Sequence, residues 1–187
     1  MKKIHNLCIS AIMLALLIIC SKITIPLGVI SLTLQTFIVI LLSLVLNTRY
    51  SLLVFITYII LGLLGLPVFS GGGGFAYVLK PSFGFIIGFL AQSILTSRVT
   101  PKSNRYIKYI YSMIGLFIIY LCGAIYMYFI MNYYMDLDKN IFYILSVGVT
   151  PFIIKDMASV ILSCLIYSRI KDVMFRYDTE LELKENN

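Results

Sequence analysis

The sequence predicts an all-α integral membrane protein with six transmembrane helices. Hydrophobic residues fill 60% of the 187 positions and charged residues only 12%, where soluble domains carry about 25% charged side chains. Mean hydropathy is +0.98. Six apolar runs approach the roughly 17 to 25 residues that cross a bilayer, and lysine and arginine gather in alternate loops, as they do on the cytoplasmic side of membrane proteins.

The first run, 4–21, follows Lys2 and Lys3 as the core of a signal peptide would. No small-x-small cleavage site ends it, Ile19 rather than a small residue precedes Cys20, and five more runs follow, so it is expected to remain as a span. The connection "SKITIPLGVISLTLQTF" contains Pro26 and Gly28, which break a helix. It is either a lid over an outward-facing site or an ordinary, rather long connection. Gln35 opens the second run, 32–46, with an amide able to donate and accept.

The third run, 51–66, leads into "PVFSGGGGFAYVLKPSFGF", whose four glycines interrupt the apolar pattern before the fourth run, 81–97. Gly84 and Gly88, four apart, are assigned to packing between helices. The fifth run is 107–131. Thr150 and Pro151 read as the N-cap and first-turn proline of the sixth, 151–170. Residues 1–171 thus form a single six-helix domain, and 172–187 a charged cytoplasmic tail that continues the last helix and then frays.

With both termini inside, eleven basic residues fall on the cytoplasmic side: Lys2, Lys3, Arg49, Arg98, Lys102, Arg105, Lys108, Arg169, Lys171, Arg176 and Lys184. Only Lys22, Lys80 and Lys139 fall outside. This bias accounts for the net charge of +7 without nucleic acid, since the 14 tyrosines sit mainly near span ends, as interfacial belts do. Cys8, Cys20, Cys122 and Cys164 lie in apolar runs without C-x-x-C spacing, and His5 stands alone, so neither metal nor triad chemistry is expected. No phosphate-binding G-x-x-x-x-G-K-[ST] loop is present, so energy for transport has to come from a partner or an ion gradient. Neither an enzyme nor a cofactor is expected.

Seven of the eight acidic residues lie in loops or the tail; only Asp156 falls within a span. A charge there costs roughly 2.5 to 3.5 kcal/mol on insertion, which makes it a binding candidate by default. On a helix beginning at Thr150 it lies about 8 Å in, and Phe152, Ser159 and Ser163 share its face. The alternative is a buried ion pair holding helices together. Lys155 is expected to point about 100° away from Asp156, either snorkelling to headgroups or touching a ligand. The glycine run including Gly73, flanked by Phe69, Phe75, Tyr77, Lys80 and Phe85, is expected to wall a small-molecule pocket; a flexible surface loop is the alternative.

"VISLTLQTF" (29–37), "YIILGLLGLPVFSGGGG" (58–74), "PSFGFIIGF" (81–89) and "PFIIKD" (151–156), in that order and spacing, resemble the BioY family, the biotin-binding S-components of energy-coupling factor transporters. The resemblance covers about residues 5 to 171. It implies a six-helix S-component fold in a bacterial plasma membrane, with cytoplasmic termini and the first loop as lid. It also implies partners: a coupling transmembrane protein and two cytoplasmic ATPases. Ala11 and Ala15 match the family's Ala-x-x-x-Ala docking motif, which clears a groove for close helix approach.

Three positions depart from the family. Lys155 replaces a glycine, Ser159 stands where a lysine is expected, and Lys80 replaces a glycine. Of the family's contacts on the sixth helix, only that of Asp156 carries over; Lys80, Lys155 and Ser159 are local candidates. If the ligand is biotin, Asp156 accepts from a ureido N–H, and Gln35 or a glycine-loop amide serves the ureido carbonyl. Phe69, Phe75, Tyr77 and Phe85 then receive the apolar parts, and Lys80 or Lys155 the carboxylate. Another vitamin on the same fold, or a stand-alone ion-coupled carrier, remains open.

Overall fold

The computed structural model describes residues 2–99 and 103–185, with side chains for 3–99 and 103–171. Helix α1 (Lys2–Lys22) leads into a two-stranded antiparallel hairpin, β1 (Thr24–Leu27) and β2 (Ile30–Thr33). There follow α2 (Gln35–Val45), α3 (Thr48–Leu63), α4 (Phe83–Thr96) and α5 (Arg105–Phe129), the last extended by a π-helical turn at Ile130–Tyr134. The chain ends with α6 (Ile141–Gly148), a 3₁₀ turn at Thr150–Phe152, and α7 (Ile153–Glu185). Three stretches, Lys3–Lys22, Arg105–Tyr134 and Ile141–Lys171, are long and apolar enough to cross a membrane. The apolar helices α2, α3 and α4 are shorter.

Two local features depart from the pattern of apolar runs. The first connection is a hairpin: Thr24 pairs with Thr33 and Leu27 with Ile30 across a two-residue turn in which Gly28 takes φ +86°. Glycine in the first turn position suits the twist of a tight hairpin. The final helical run begins ten residues before Pro151. Asn140 caps it, its side chain accepting from the Tyr143 backbone N–H at 2.9 Å. Pro151 has no N–H to continue the ladder, so the chain passes through a 3₁₀ turn, and the Thr150 hydroxyl donates to Leu145 O at 3.2 Å instead of capping α7. Asp156 therefore lies fifteen residues from the start of this run rather than six.

Helix packing in lipid has no hydrophobic drive and relies on close backbone approach. At α4 and α5 that approach is glycine-dependent: a Cβ on Gly84 would collide with the Tyr126 Cβ, and one on Gly88 would sit 2.8 Å from the Ile119 Cα. The pair expected to pack internally does so. A polar contact reinforces the neighbouring α2–α4 packing, where Ser43 Oγ donates to Gln92 Oε1 at 3.2 Å; within α4, Gln92 Nε2 donates to Thr96 Oγ1 at 2.9 Å. Ser43 and Gln92 are both fully buried.

The segment between α3 and α4 is tied down at each end. Gly65 ends α3 with φ +102°, a left-handed conformation glycine adopts at helix C-termini. Phe69 then lies fully buried beneath Gly62, edge-on to Tyr58 at a centroid distance of 5.2 Å and tilted against Tyr77 at 4.6 Å. Gly74 N–H donates to Gly62 O at 2.7 Å, and Phe69 and Gly72 exchange backbone hydrogen bonds. From α1, Ser21 donates to Val68 O at 2.5 Å and Lys22 to Phe69 O at 2.7 Å.

A Cβ on Gly73 would collide with Leu66 O, a backbone atom that cannot rotate away, whereas a Cβ on Gly71 meets only the ends of Lys80 and Tyr77. Gly73→Ala is expected to cost about 1–3 kcal/mol and Gly71→Ala less than about 0.5 kcal/mol. Thermal unfolding in detergent checks the contrast, and equal midpoints would contradict it.

Candidate ligand site

Helices α2 and α4 to α7 and both irregular segments converge on one cavity, with about 540 Å³ of non-atom space including its open mouth. The hairpin and α2 contribute Ile30, Thr33, Gln35 and Thr36; the glycine-loop segment contributes Ser70, Tyr77 and Ser82. Apolar walls come from α4 and α5, through Phe85, Phe89 and Ile119. The floor of charge comes from α7, with Lys155 and Asp156, and from Tyr120 of α5.

Asp156 is 3% exposed. Tyr120 OH donates to its Oδ2 at 2.7 Å, and Lys155 Nζ forms an ion pair with its Oδ1. Lys155 also donates to Thr33 O at 2.8 Å and approaches Thr36 Oγ1 at 3.5 Å. The expectation that Lys155 turns away from Asp156 is thus corrected. A four-carbon stem can fold its ammonium back along the helix, and the hairpin end supplies a carbonyl that holds it there.

The predicted site residues divide. Gln35, Tyr77, Phe85, Lys155 and Asp156 line the cavity. Gln35 is already engaged: its Nε2 donates to Tyr58 OH at 2.8 Å and its Oε1 accepts from Thr33 Oγ1 at 3.2 Å. Phe69 lies in the core, Gly73 packs on the end of α3, and Phe75 is 78% exposed. Lys80 is exposed, donating to Gly71 O at 3.0 Å with its ammonium 4.9 Å from the Tyr77 ring centre. Ser159 is buried and donates to Lys155 O at 2.9 Å, and Ser163 donates to Phe37 O at 2.8 Å. Of the stripe read beside Asp156, then, Phe152 joins the cavity wall while Ser163 binds α2.

The four glycines do not themselves wall the cavity. They shape a segment that brings in Ser70 and Tyr77, whose hydroxyls lie 3.3 Å apart, and Ser82 donates to Tyr77 OH at 3.4 Å. Sequence reasoning named Tyr77, as an apolar wall, but missed Ser70 and Ser82. It also missed Tyr120, which passes among the many interfacial tyrosines. Its signal is position: it lies fifteen residues into α5, far from either end, where a phenol needs a buried partner.

Ala11 and Ala15 both lie on the exposed side of α1, opposite buried Met13 and Leu17. They do not take part in packing within the bundle, in contrast to Gly84 and Gly88.

Tyr58 joins α3 to the start of α2 and to the glycine-loop segment, accepting from Gln35 and donating to Val68 O at 3.0 Å. Tyr58→Phe leaves the Gln35 amide short of an acceptor and is expected to cost about 1 kcal/mol, read as a lower unfolding midpoint of the purified protein. An unchanged midpoint would show that the link is not stabilising.

Comparison with known proteins places this geometry. The family model described as "BioY family" matches residues 1–176. "Biotin transporter BioY" of Thermotoga maritima is 36% identical over 165 residues, covering 87% of this chain and 93% of the relative. A "Probable biotin transporter BioY" of Lysinibacillus sphaericus is 34% identical, covering 97% and 95%. A crystal structure of "the S-component for biotin from an ECF-type ABC transporter" superposes with a TM-score of 0.80 at 26% identity, covering 91% of this chain and 93% of that one. With a whole-length family match, relatives above 30% identity and a common fold, the chain belongs to the BioY family.

Proposed function

We propose that this chain is the biotin-capturing S-component of an energy-coupling factor importer. The observation that carries the reading is the buried Asp156 carboxylate on the cavity wall, held between the Lys155 ammonium and the Tyr120 hydroxyl. A ureido group offers N–H donors beside a carbonyl acceptor. The Asp156 carboxylate takes one N–H, and the Lys155 ammonium beside it donates to the carbonyl.

The ligand carboxylate is not assigned to Lys155, which is already paired with Asp156. It belongs instead with the hydroxyl donors of Ser70, Tyr77 and Ser82, while Phe85, Phe89 and Ile119 hold the thioether ring and aliphatic chain. Lys80, outside the cavity, is not assigned a contact. Because Lys155 also holds Thr33 at the end of the hairpin, the ligand and the lid share one cation.

Both termini are cytoplasmic in this reading, supported by the eleven-to-three division of basic residues between loops. The protein sits in a bacterial plasma membrane as a multi-pass subunit. The exposed Ala11 and Ala15 offer α1 to a coupling membrane protein, which links capture to two ATPase subunits.

Asp156→Asn is expected to weaken biotin binding by about 10- to 100-fold, the loss of a hydrogen bond to a charged group. Tyr120→Phe, which frees Oδ2, is expected to weaken it by about tenfold. Titration calorimetry on the purified protein measures both, and unchanged affinity in Asp156→Asn would remove that group from the site. Retention of a different vitamin by the purified protein would replace biotin as the ligand. Uphill uptake by this chain alone in vesicles would favour an ion-coupled carrier.

A further inference from the structure

A second cavity lies well away from the ligand site. Counting fifteen residues from Tyr120 toward the start of α5, or fifteen from Asp156 along α7, leads to Arg105 and Lys171 respectively, each about 22 Å away by helical rise. Between them is a cavity with about 390 Å³ of non-atom space, lined by Arg105, Lys108, Tyr109, Cys164, Ser168 and Lys171. Half of these are cations, and no carboxylate lines the cavity among the described residues.

The placement fits a headgroup. From residue 109 to 135 the chain carries no charged side chain, and 27 helical residues span about 40 Å, enough to cross a hydrocarbon core of about 30 Å. Arg105 and Lys108 stand just outside that stretch, where phospholipid phosphates lie. The cations are also positioned by aromatic rings. The Arg105 guanidinium carbon is 5.9 Å from the Tyr109 ring centre, and the Lys108 ammonium, on a residue 3% exposed, is 4.9 Å from that of Tyr167. The Tyr109 contact restricts the Arg105 head without using up its N–H groups. The loop bias of membrane proteins needs basic residues only near the surface; it does not require them to line a cavity between two helices. Basic pockets in that setting suit phosphate headgroups, and guanidinium matches phosphate oxygens in pairs.

We propose that this cavity binds the phosphate of an anionic phospholipid in the leaflet away from the ligand mouth, with Arg105 and Lys171 as the accessible contacts. The test is native mass spectrometry of the purified full chain exchanged from phosphatidylcholine micelles into mixtures containing phosphatidylglycerol. Wild type is expected to retain phosphatidylglycerol over phosphatidylcholine by about tenfold or more, about 1.4 kcal/mol. Arg105→Gln/Lys171→Gln should lose that preference with an unchanged unfolding midpoint.

A parallel titration with soluble glycerol 3-phosphate separates the sources. Displacement of the lipid by millimolar ester keeps the phosphate site and makes its occupant soluble; no displacement keeps the lipid. Equal retention of the two lipids by wild type, or an undiminished preference in the folded double variant, overturns the proposal. Should the double variant unfold, Arg105→Gln and Lys171→Gln taken singly decide between the same two outcomes.

Discussion

Asp156 is a carboxylate inside an apolar bundle, and the arrangement around it follows from the cost of putting charge there, roughly 2.5 to 3.5 kcal/mol even by insertion scales. Tyr120 of α5 donates to one oxygen, and Lys155, the adjacent residue on α7, neutralises the other. The same ammonium reaches the end of β2 at Thr33. One ionic group therefore ties together α5, α7 and the hairpin that borders the cavity. Elsewhere among the described residues the bundle is held largely by apolar packing and hydrogen bonds to neutral groups, which set the helices but give a ligand little to recognise.

The loop between α3 and α4 solves a different problem. Irregular backbone needs partners for its polar groups; part of this segment is buried in the protein, part lines the cavity and part is exposed. Its buried part is built on Phe69, wedged under Gly62, with Val68 O taking hydrogen bonds from Ser21 and Tyr58. Its cavity part presents hydroxyls. The glycines make the transition possible: Gly72 and Gly74 take φ +112° and +101°, and Gly73 presses against Leu66 O. Their work is to let the chain turn sharply beside a helix end, and the side chains that follow carry the chemistry.

Small residues serve two separate ends on the helices. Gly84 and Gly88 face α5 across distances a Cβ would fill, whereas Ala11 and Ala15 face outward. The spacing is the same in both cases. Only the side of the helix differs: the glycine pair makes its contact within the chain, and the alanine pair is exposed.

The sequence by itself determined the membrane class, the apolar helical runs, the family and the singular status of Asp156, because composition, run length and the absence of other acidic residues from the spans are properties of the chain as written. Gln35, Tyr77, Phe85 and Lys155 were also within reach, as polar or aromatic residues near broken helical pattern. The tertiary structure alone decided that Phe69 and Gly73 support the loop instead of lining the cavity, that Phe75 and Lys80 face outward, and that Lys155 curls back to Asp156. It alone brought Tyr120, Ser70 and Ser82 to the site. Periodicity fixes which residues share a helix face, but a long side chain's reach, a glycine loop's path and a partner on a helix 36 residues away depend on how the elements pack.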